Sequence, residues 1–196
     1  MPKIIEGIVD QRLTAAASSW IEAVLFDGAL AVDATVGNGF DTLFLAHRVG
    51  PHGTVLGFDV QKAALAGARE MLKFVGSMGR VSLIHDSHSH LENYLPHGAL
   101  IQVAMFNLGY LPRGNREIIT RPDTTIAALQ ALSRHLAANG RITVLAYRGH
   151  QGGILEYEEV RKFLENLPDT EWSVEEFAGG GDLPTAPRLF RIAKRR

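Results

Sequence analysis

The sequence contains no cysteine. That absence removes disulfides, thiolate nucleophiles, and cysteine-ligated zinc or iron–sulfur sites. It also removes methylation of a pyrimidine ring carbon through a cysteine adduct. No uncharged apolar run approaches the roughly 20 residues a membrane span needs, and the start, Met1-Pro2-Lys3-Ile4-Ile5-Glu6, lacks the apolar segment of a secretory signal. A cytoplasmic protein without membrane association is expected. Charge excess is missing too: with a formal net charge of −1, any grip on nucleic acid must come from a local patch. Repeats, linkers and low-complexity tracts are absent. What is present is 196 residues, 46% of them hydrophobic, enough for a single domain (1–196) with a full core and an amino-terminal helical segment (1–27) laid on it.

The chain is organised around Ala31-Val32-Asp33-Ala34-Thr35-Val36-Gly37-Asn38-Gly39-Phe40-Asp41-Thr42, an apolar run that breaks into glycines and then into a helix start. Gly37 and Gly39 suit a tight turn that lets backbone N–H groups approach a ligand, with the positive end of the following helix aimed at the same place. A purely structural turn is the competing interpretation. Two carboxylates bear on the choice. Asp33, at the strand end, would repel a pyrophosphate but could accept hydrogen bonds from an ammonium group. Asp59, about twenty residues beyond the turn, sits where such folds hold ribose hydroxyls. The third glycine of a dinucleotide fingerprint is missing, since Thr42 occupies its place. These features favour S-adenosylmethionine over a nicotinamide or flavin dinucleotide, and leave a dehydrogenase the weakest alternative.

Apolar periodicity predicts a helix over 7–26, strands at 30–34, 54–58, 81–84, 100–106 and 142–146, and crossover helices at 43–49, 61–75, 123–138 and 153–167. Two final strands, 172–177 and 189–192, flank the Gly179-Gly180-Gly181 run. The alternation predicts a doubly wound α/β fold, mostly parallel, with an antiparallel carboxyl-terminal strand. In such sheets ligands sit beyond the carboxyl ends of the strands. The polar residues collect there: Asp33 and Asn38, Asp59 and Gln61, His85 to His90, Asn107 to Tyr110, and Tyr147 to His150.

Three histidines and Asp86 within positions 85–90 invite a metal reading, but nothing else supplies ligands at a recognisable spacing; Ser87 and His88 read better as partners of an adenine. Asn107-Leu108-Gly109-Tyr110 is the sharpest chemical signal. The Asn107 side-chain carbonyl and the Leu108 backbone carbonyl could accept the two N–H bonds of an amine, while Tyr110 stacks on the base bearing it. A turn asparagine beside a core tyrosine is the bland alternative. Arg113, Arg116 and Arg121 crowd the following loop, with Arg148 on the neighbouring strand end, as expected of a phosphate rim. Lys194-Arg195-Arg196 reads as a solubilising tail.

Asp33 to Thr42, Phe58-Asp59-Val60-Gln61, Phe106 to Pro112, Pro122-Asp123-Thr124-Thr125 and Gly149-His150-Gln151-Gly152-Gly153 together resemble the bacterial MnmM (YtqB) family, once described as rRNA methylases. The resemblance implies a class I S-adenosylmethionine-dependent methyltransferase with a Rossmann-like sheet. Its implied reaction converts 5-aminomethyl-2-thiouridine at the tRNA wobble position to the 5-methylaminomethyl form. Asn38, Asp59, Gln61, Ser87 and His88 match the family's cofactor pocket, and Asp33, Gly37 and Asp41 complete the candidate set. Asn107, Tyr110 and Tyr147 match positions facing the substrate, joined by Leu108, His150 and the four arginines. The expected partner is tRNA, through its anticodon stem-loop, with a homodimer left open. Methylation of rRNA or of a small amine shares every cofactor residue, and a non-catalytic RNA-binding protein of the same fold is the alternative from another class.

Overall fold

The computed structural model describes residues 2–111, 114–115, 117–179 and 183–196, with the backbone alone for residues 2–11. Arg113, Arg116, Gly180 and Gly181 lie outside the described residues. The elements run α1 (Pro2–Glu22), β1 (Leu30–Asp33), α2 (Phe40–Arg48), β2 (Thr54–Phe58), α3 (Lys62–Phe74), β3 (Val81–Ile84), a 3-10 segment (His88–Tyr94), β4 (Ile101–Leu108), α4 (Pro122–His135), β5 (Leu136–Ala146), α5 (Gly153–Glu165), β6 (Trp172–Ala178) and β7 (Arg188–Lys194). The strands form one sheet in the order β3-β2-β1-β4-β5-β7-β6. Neighbours from β3 to β5 are parallel, and β7 runs antiparallel between β5 and β6. No helix among the described residues is long and apolar enough to cross a membrane.

The central strands are apolar at successive positions because both faces are covered. Side chains alternate across the sheet. Val32, Ala104, Phe106 and Val144 point to one side, where they pack with Leu129, Leu132, Val160 and Leu164 of α4 and α5. Ala31, Val103, Met105 and Leu145 point to the other, against Leu13, Ala17 and Ile21 of α1, Leu45 of α2 and Leu72 of α3. Helix α1 is also held by cations from the sheet. Arg141 on β5 donates to the Trp20 carbonyl with its guanidinium carbon 4.7 Å from the Trp20 ring centre. Arg191 on β7 donates to the Ala16 carbonyl at 2.9 Å.

Two local expectations are corrected. Asn139-Gly140, a pair that as a helix stop would close the predicted helix ending at residue 138, lies inside β5. Helix α4 stops at His135, and Leu136 already pairs with Ile101. The next pair is Val103 with Arg141, so the extra residues form an irregularity in which Asn139 takes φ 60°. The tail is not merely solubilising either: the Lys194 ammonium donates to the Ser133 and Leu136 carbonyls at 3.3 and 3.1 Å, capping the end of α4.

The turn after β1 is set by packing as much as by any ligand. Gly39, the N-cap of α2, has φ 81°, and a Cβ there would lie 2.8 Å from the Ala68 Cβ and 2.9 Å from the Met71 Cε on α3. Left-handed strain and overpacking should together make Gly39→Ala cost at least about 2 kcal/mol, measured by urea unfolding. An unchanged midpoint would show that the turn can move away from α3.

Candidate active site at the split between β1 and β4

Strand order reverses between β1 and β4, and the chain leaves these neighbours in opposite directions. Such a split leaves a crevice beyond the strand ends. Here it is a cavity of about 1410 Å³, larger than the roughly 300–1,000 Å³ of ordinary small-molecule sites. Its walls come from the carboxyl ends of β1, β2, β4 and β5, from Thr14, Ala15 and Ser18 of α1, and from residues 183 and 185–187 ahead of β7.

Near β1 and β2 the cavity is lined by Gly37, Asn38, Asp59 and Gln61. Asp59 accepts from the Gly37 N–H at 2.9 Å and the Gln61 N–H at 2.8 Å, one bond to each carboxylate oxygen. Each oxygen keeps a lone pair for a further donor. Val60 beside it is 51% exposed and also lines the cavity, an apolar surface that a flat ring would cover. Ser87 and His88 form the far wall. The His88 Nδ1–H donates to the Ala34 carbonyl at 2.9 Å, so its Nε2 carries the lone pair, buried and without a partner. Burial holds the His88 pKa below its usual value, against the opposing pull of the Ala34 bond. The imidazole is therefore neutral.

Asp33 does not face the cavity. It is fully buried, and its carboxylate accepts from the Thr35 N–H at 3.1 Å and the Thr42 hydroxyl at 2.5 Å. The ammonium contact expected of it is not available. Its carboxylate shapes the turn instead. Asp41, from the first turn of α2, does line the cavity and accepts from the Asn107 side-chain amide at 2.6 Å. The Asn107 N–H donates to the Thr35 hydroxyl at 2.8 Å. With its NH₂ fixed on Asp41, the Asn107 side chain keeps its carbonyl oxygen as a free acceptor at the cavity wall.

The second acceptor expected beside it is not there. Leu108 is buried and does not line the cavity, and its carbonyl accepts the Tyr147 N–H at 3.1 Å where β4 and β5 end. Tyr110 lines the cavity, 37% exposed, with its ring edge-to-face against His150 at 5.7 Å. Tyr147 and His150 line the same region.

Of the expected arginine rim, Arg121 and Arg148 belong to the described residues. Arg121 lines the cavity, but its guanidinium forms a two-pronged pair with Asp123 at 3.1 and 3.0 Å. Arg148 lies over the Tyr157 ring at 4.3 Å and lines the cavity from the β5 side. The three imidazoles of 85–90 diverge: His85 meets the Val60 carbonyl, His88 the Ala34 carbonyl and His90 the Asp86 carboxylate. No three potential metal ligands converge among the described residues. The sequence reading missed Thr35, Thr120, Thr125 and Glu156. Threonines carry no local signal of their tertiary partners. Glu156 did offer one, since it shares the apolar stripe of α5 with Val160 and Leu164.

A sheet of this order, with its antiparallel strand inserted before the edge and a cavity over the β1–β4 split, is the class I methyltransferase fold. The chain belongs to the family described as "Putative rRNA methylase", the MnmM family of the sequence motifs, whose family model matches residues 55–192. It is 39% identical over 182 residues to the Arabidopsis thaliana protein named "tRNA (mnm(5)s(2)U34)-methyltransferase, chloroplastic", covering 89% of this chain and 66% of that one. The chain thus spans just under two thirds of that relative's length. Among solved structures it is similar to a "putative rRNA-methylase" from Clostridium thermocellum, at 37% identity and TM-score 0.89, covering 93% of this chain and 97% of that one. A "putative methyltransferase" from Streptococcus mutans, solved in complex with SAH, matches at 34% identity and TM-score 0.84 with the same coverage.

Burial, then the neighbouring charge of Asp41, pushes Asp33 up to about 7 from an ordinary 3.8. Between those values the folded protein holds a proton that the unfolded chain has lost, so stability falls as pH rises across that window. Asp33→Asn keeps an acceptor for the Thr35 N–H and removes the charge. Relative to the parent, the variant should gain about 1–3 kcal/mol on going from about pH 5 to about pH 8, read by urea unfolding at both. Parallel pH profiles for the two proteins would show that Asp33 titrates as an ordinary carboxylate.

Proposed function

We propose that this chain is a cytoplasmic S-adenosylmethionine-dependent N-methyltransferase that acts on the exocyclic amine of 5-aminomethyl-2-thiouridine at the wobble position of tRNA. The observation that carries the reading is Asn107, whose amide nitrogen is fixed on Asp41 and whose carbonyl is left as an acceptor on the cavity wall. The name of the Arabidopsis relative supports the substrate class, and the SAH bound in the Streptococcus mutans structure supports the cofactor.

The residues present suit that cofactor. Asp59 can accept two hydroxyls on its remaining lone pairs, Val60 offers an apolar face, and the bare His88 Nε2 is an acceptor without a partner. Bound S-adenosylmethionine supplies a methyl group activated by a sulfonium. The chain's part is orientation. The Asn107 carbonyl accepts one N–H of the amine and, being neutral, gives less support to the ammonium form than a carboxylate would. Tyr110, braced by His150, presents a ring to the uracil. Cavity volume beyond ordinary small-molecule sites leaves room for both guests.

Arg121 and Arg148 supply the phosphate contacts of this reading. Exchanging Asp123 for a phosphate is inexpensive for Arg121, because an exposed ion pair contributes roughly 0–1 kcal/mol. Replacing Arg121 by alanine should weaken binding of an anticodon stem-loop and reduce the salt slope by a little under about one. An identical slope would make Arg121 a solvated surface charge.

The reading is tested by mass spectrometry of tRNA nucleosides after incubation with enzyme and S-adenosylmethionine. Asp59→Ala should weaken cofactor binding by about 1.5–3 kcal/mol in calorimetry. Asn107→Ala should leave that binding nearly intact and lower kcat by on the order of a hundredfold. Asn107→Asp separates orientation from binding, since a carboxylate holds the amine in its unreactive charged form. Wild-type turnover in either Asn107 variant would end the amine-acceptor assignment.

A further inference from the structure

Behind the residues that line the cavity, the buried carboxylate of Glu156 has no part in the reading above. Glu156, in the first turn of α5, is 2% exposed on the same stripe as Val160 and Leu164. Placing a carboxylate among apolar residues carries a large desolvation cost, and burial accordingly raises its pKa. What offsets that cost is a pair of hydroxyls. The Thr120 hydroxyl donates to Oε2 at 2.6 Å and the Thr125 hydroxyl donates to Oε1 at 2.7 Å.

The proton inventory fixes the direction of this relay. The Gly109 N–H can only donate, and it donates to the Thr120 Oγ1 at 2.8 Å. The single hydroxyl proton of Thr120 is then directed to Glu156, and an ionised carboxylate accepts from both threonines. The positive end of α5 favours that charge. Thr120 returns a backbone bond to the Gly109 carbonyl at 2.9 Å, and Tyr110 and Ile119 form an isolated antiparallel bridge. Three segments therefore meet on one carboxylate: the stretch leaving β4, the start of α4 and the start of α5.

We infer that Glu156 is a positioning residue for the methyl transfer, acting through Thr120 to fix the Gly109-Tyr110 backbone so that Tyr110 keeps its place on the cavity wall. The inference rests on the reaction read above and assigns it a support that does not touch substrate. An apolar triad of the same volume would serve stability as well or better. What it would not supply is an acceptor for the Gly109 N–H, which lies between Asn107 and Tyr110 along the chain. Thr120 itself lines the cavity, whereas Glu156 and Thr125 stand behind it.

The test uses the full chain, with Thr120→Val, which keeps the shape and removes the relay, Thr120→Ser, which restores the hydroxyl, and Glu156→Gln. Thr120→Val and Glu156→Gln should lower kcat by about tenfold or more with the Kd for S-adenosylmethionine within about twofold of the parent, and Thr120→Ser should recover most of the loss. Amide exchange at Gly109, followed by NMR without substrate, should quicken in Thr120→Val and return in Thr120→Ser. Parent-like kcat in Thr120→Val, equal losses in the valine and serine variants, or a loss mirrored in cofactor affinity would each overturn the inference. A parent enzyme inactive on the aminomethyl tRNA would overturn the proposed reaction. The relay would then be decided by exchange, with unchanged Gly109 protection counting against it.

Discussion

Two carboxylates withdrawn from water within one short stretch, Asp33 and Asp41, constrain everything around the split in the sheet. Burial raises both, and the charge of Asp41 raises Asp33 further. Neither position is tolerable without donors. The donors found are the Thr35 N–H and Thr42 hydroxyl for Asp33, and the Asn107 amide for Asp41. Each choice fixes something else. Thr35 and Thr42 clamp the two ends of the glycine turn, and Thr35 also receives the Asn107 N–H. Asn107 is thereby oriented from two sides by groups whose own placement is dictated by desolvated charge.

Much of this architecture is legible in the sequence, because it rests on patterns with a short range. The period of apolar residues gives the helices and strands, the uninterrupted apolar run of β4 marks it as central, and the gathering of polar residues after strand ends marks one edge of the sheet. The misreadings share a physical cause. Whether Asp33 meets a ligand or a threonine, whether the Leu108 carbonyl is free or bonded to Tyr147, and whether Asn139-Gly140 ends a helix or kinks a strand all depend on partners distant in sequence. Local chemistry is the same in each pair of alternatives. Glu156 is the exception that could have been seen, as a charge at a core position of an amphipathic helix and hence one in need of a buried donor.

Charge distribution adds a second theme. A chain with a net charge of −1 has no long-range field to draw nucleic acid toward it. Two arginines are also committed to internal tasks: Arg141 and Arg191 hold α1. On the proposed reading, recognition of tRNA depends on shape and on a few exchangeable contacts at the rim. The size of the cavity fits that mode better than a basic groove would.

The tethering of α1 has a consequence for how the molecule folds. The helix precedes the sheet along the chain, yet its anchors are Arg141 and Arg191, 121 and 175 residues downstream of the carbonyls they hold. The last strand, β7, also enters between β5 and β6 rather than at the edge, so β6 has no place in the sheet before β7 arrives. Contacts of such long sequence separation form late, because the intervening loop must be ordered before they repay it. The wall contributed by Thr14, Ala15 and Ser18 is therefore secured once β5 and β7 have joined the sheet. A folding chain that has ordered the glycine turn, Asp59 and Asn107 still lacks a closed chamber, and the arrival of β7 is the event that finishes the site.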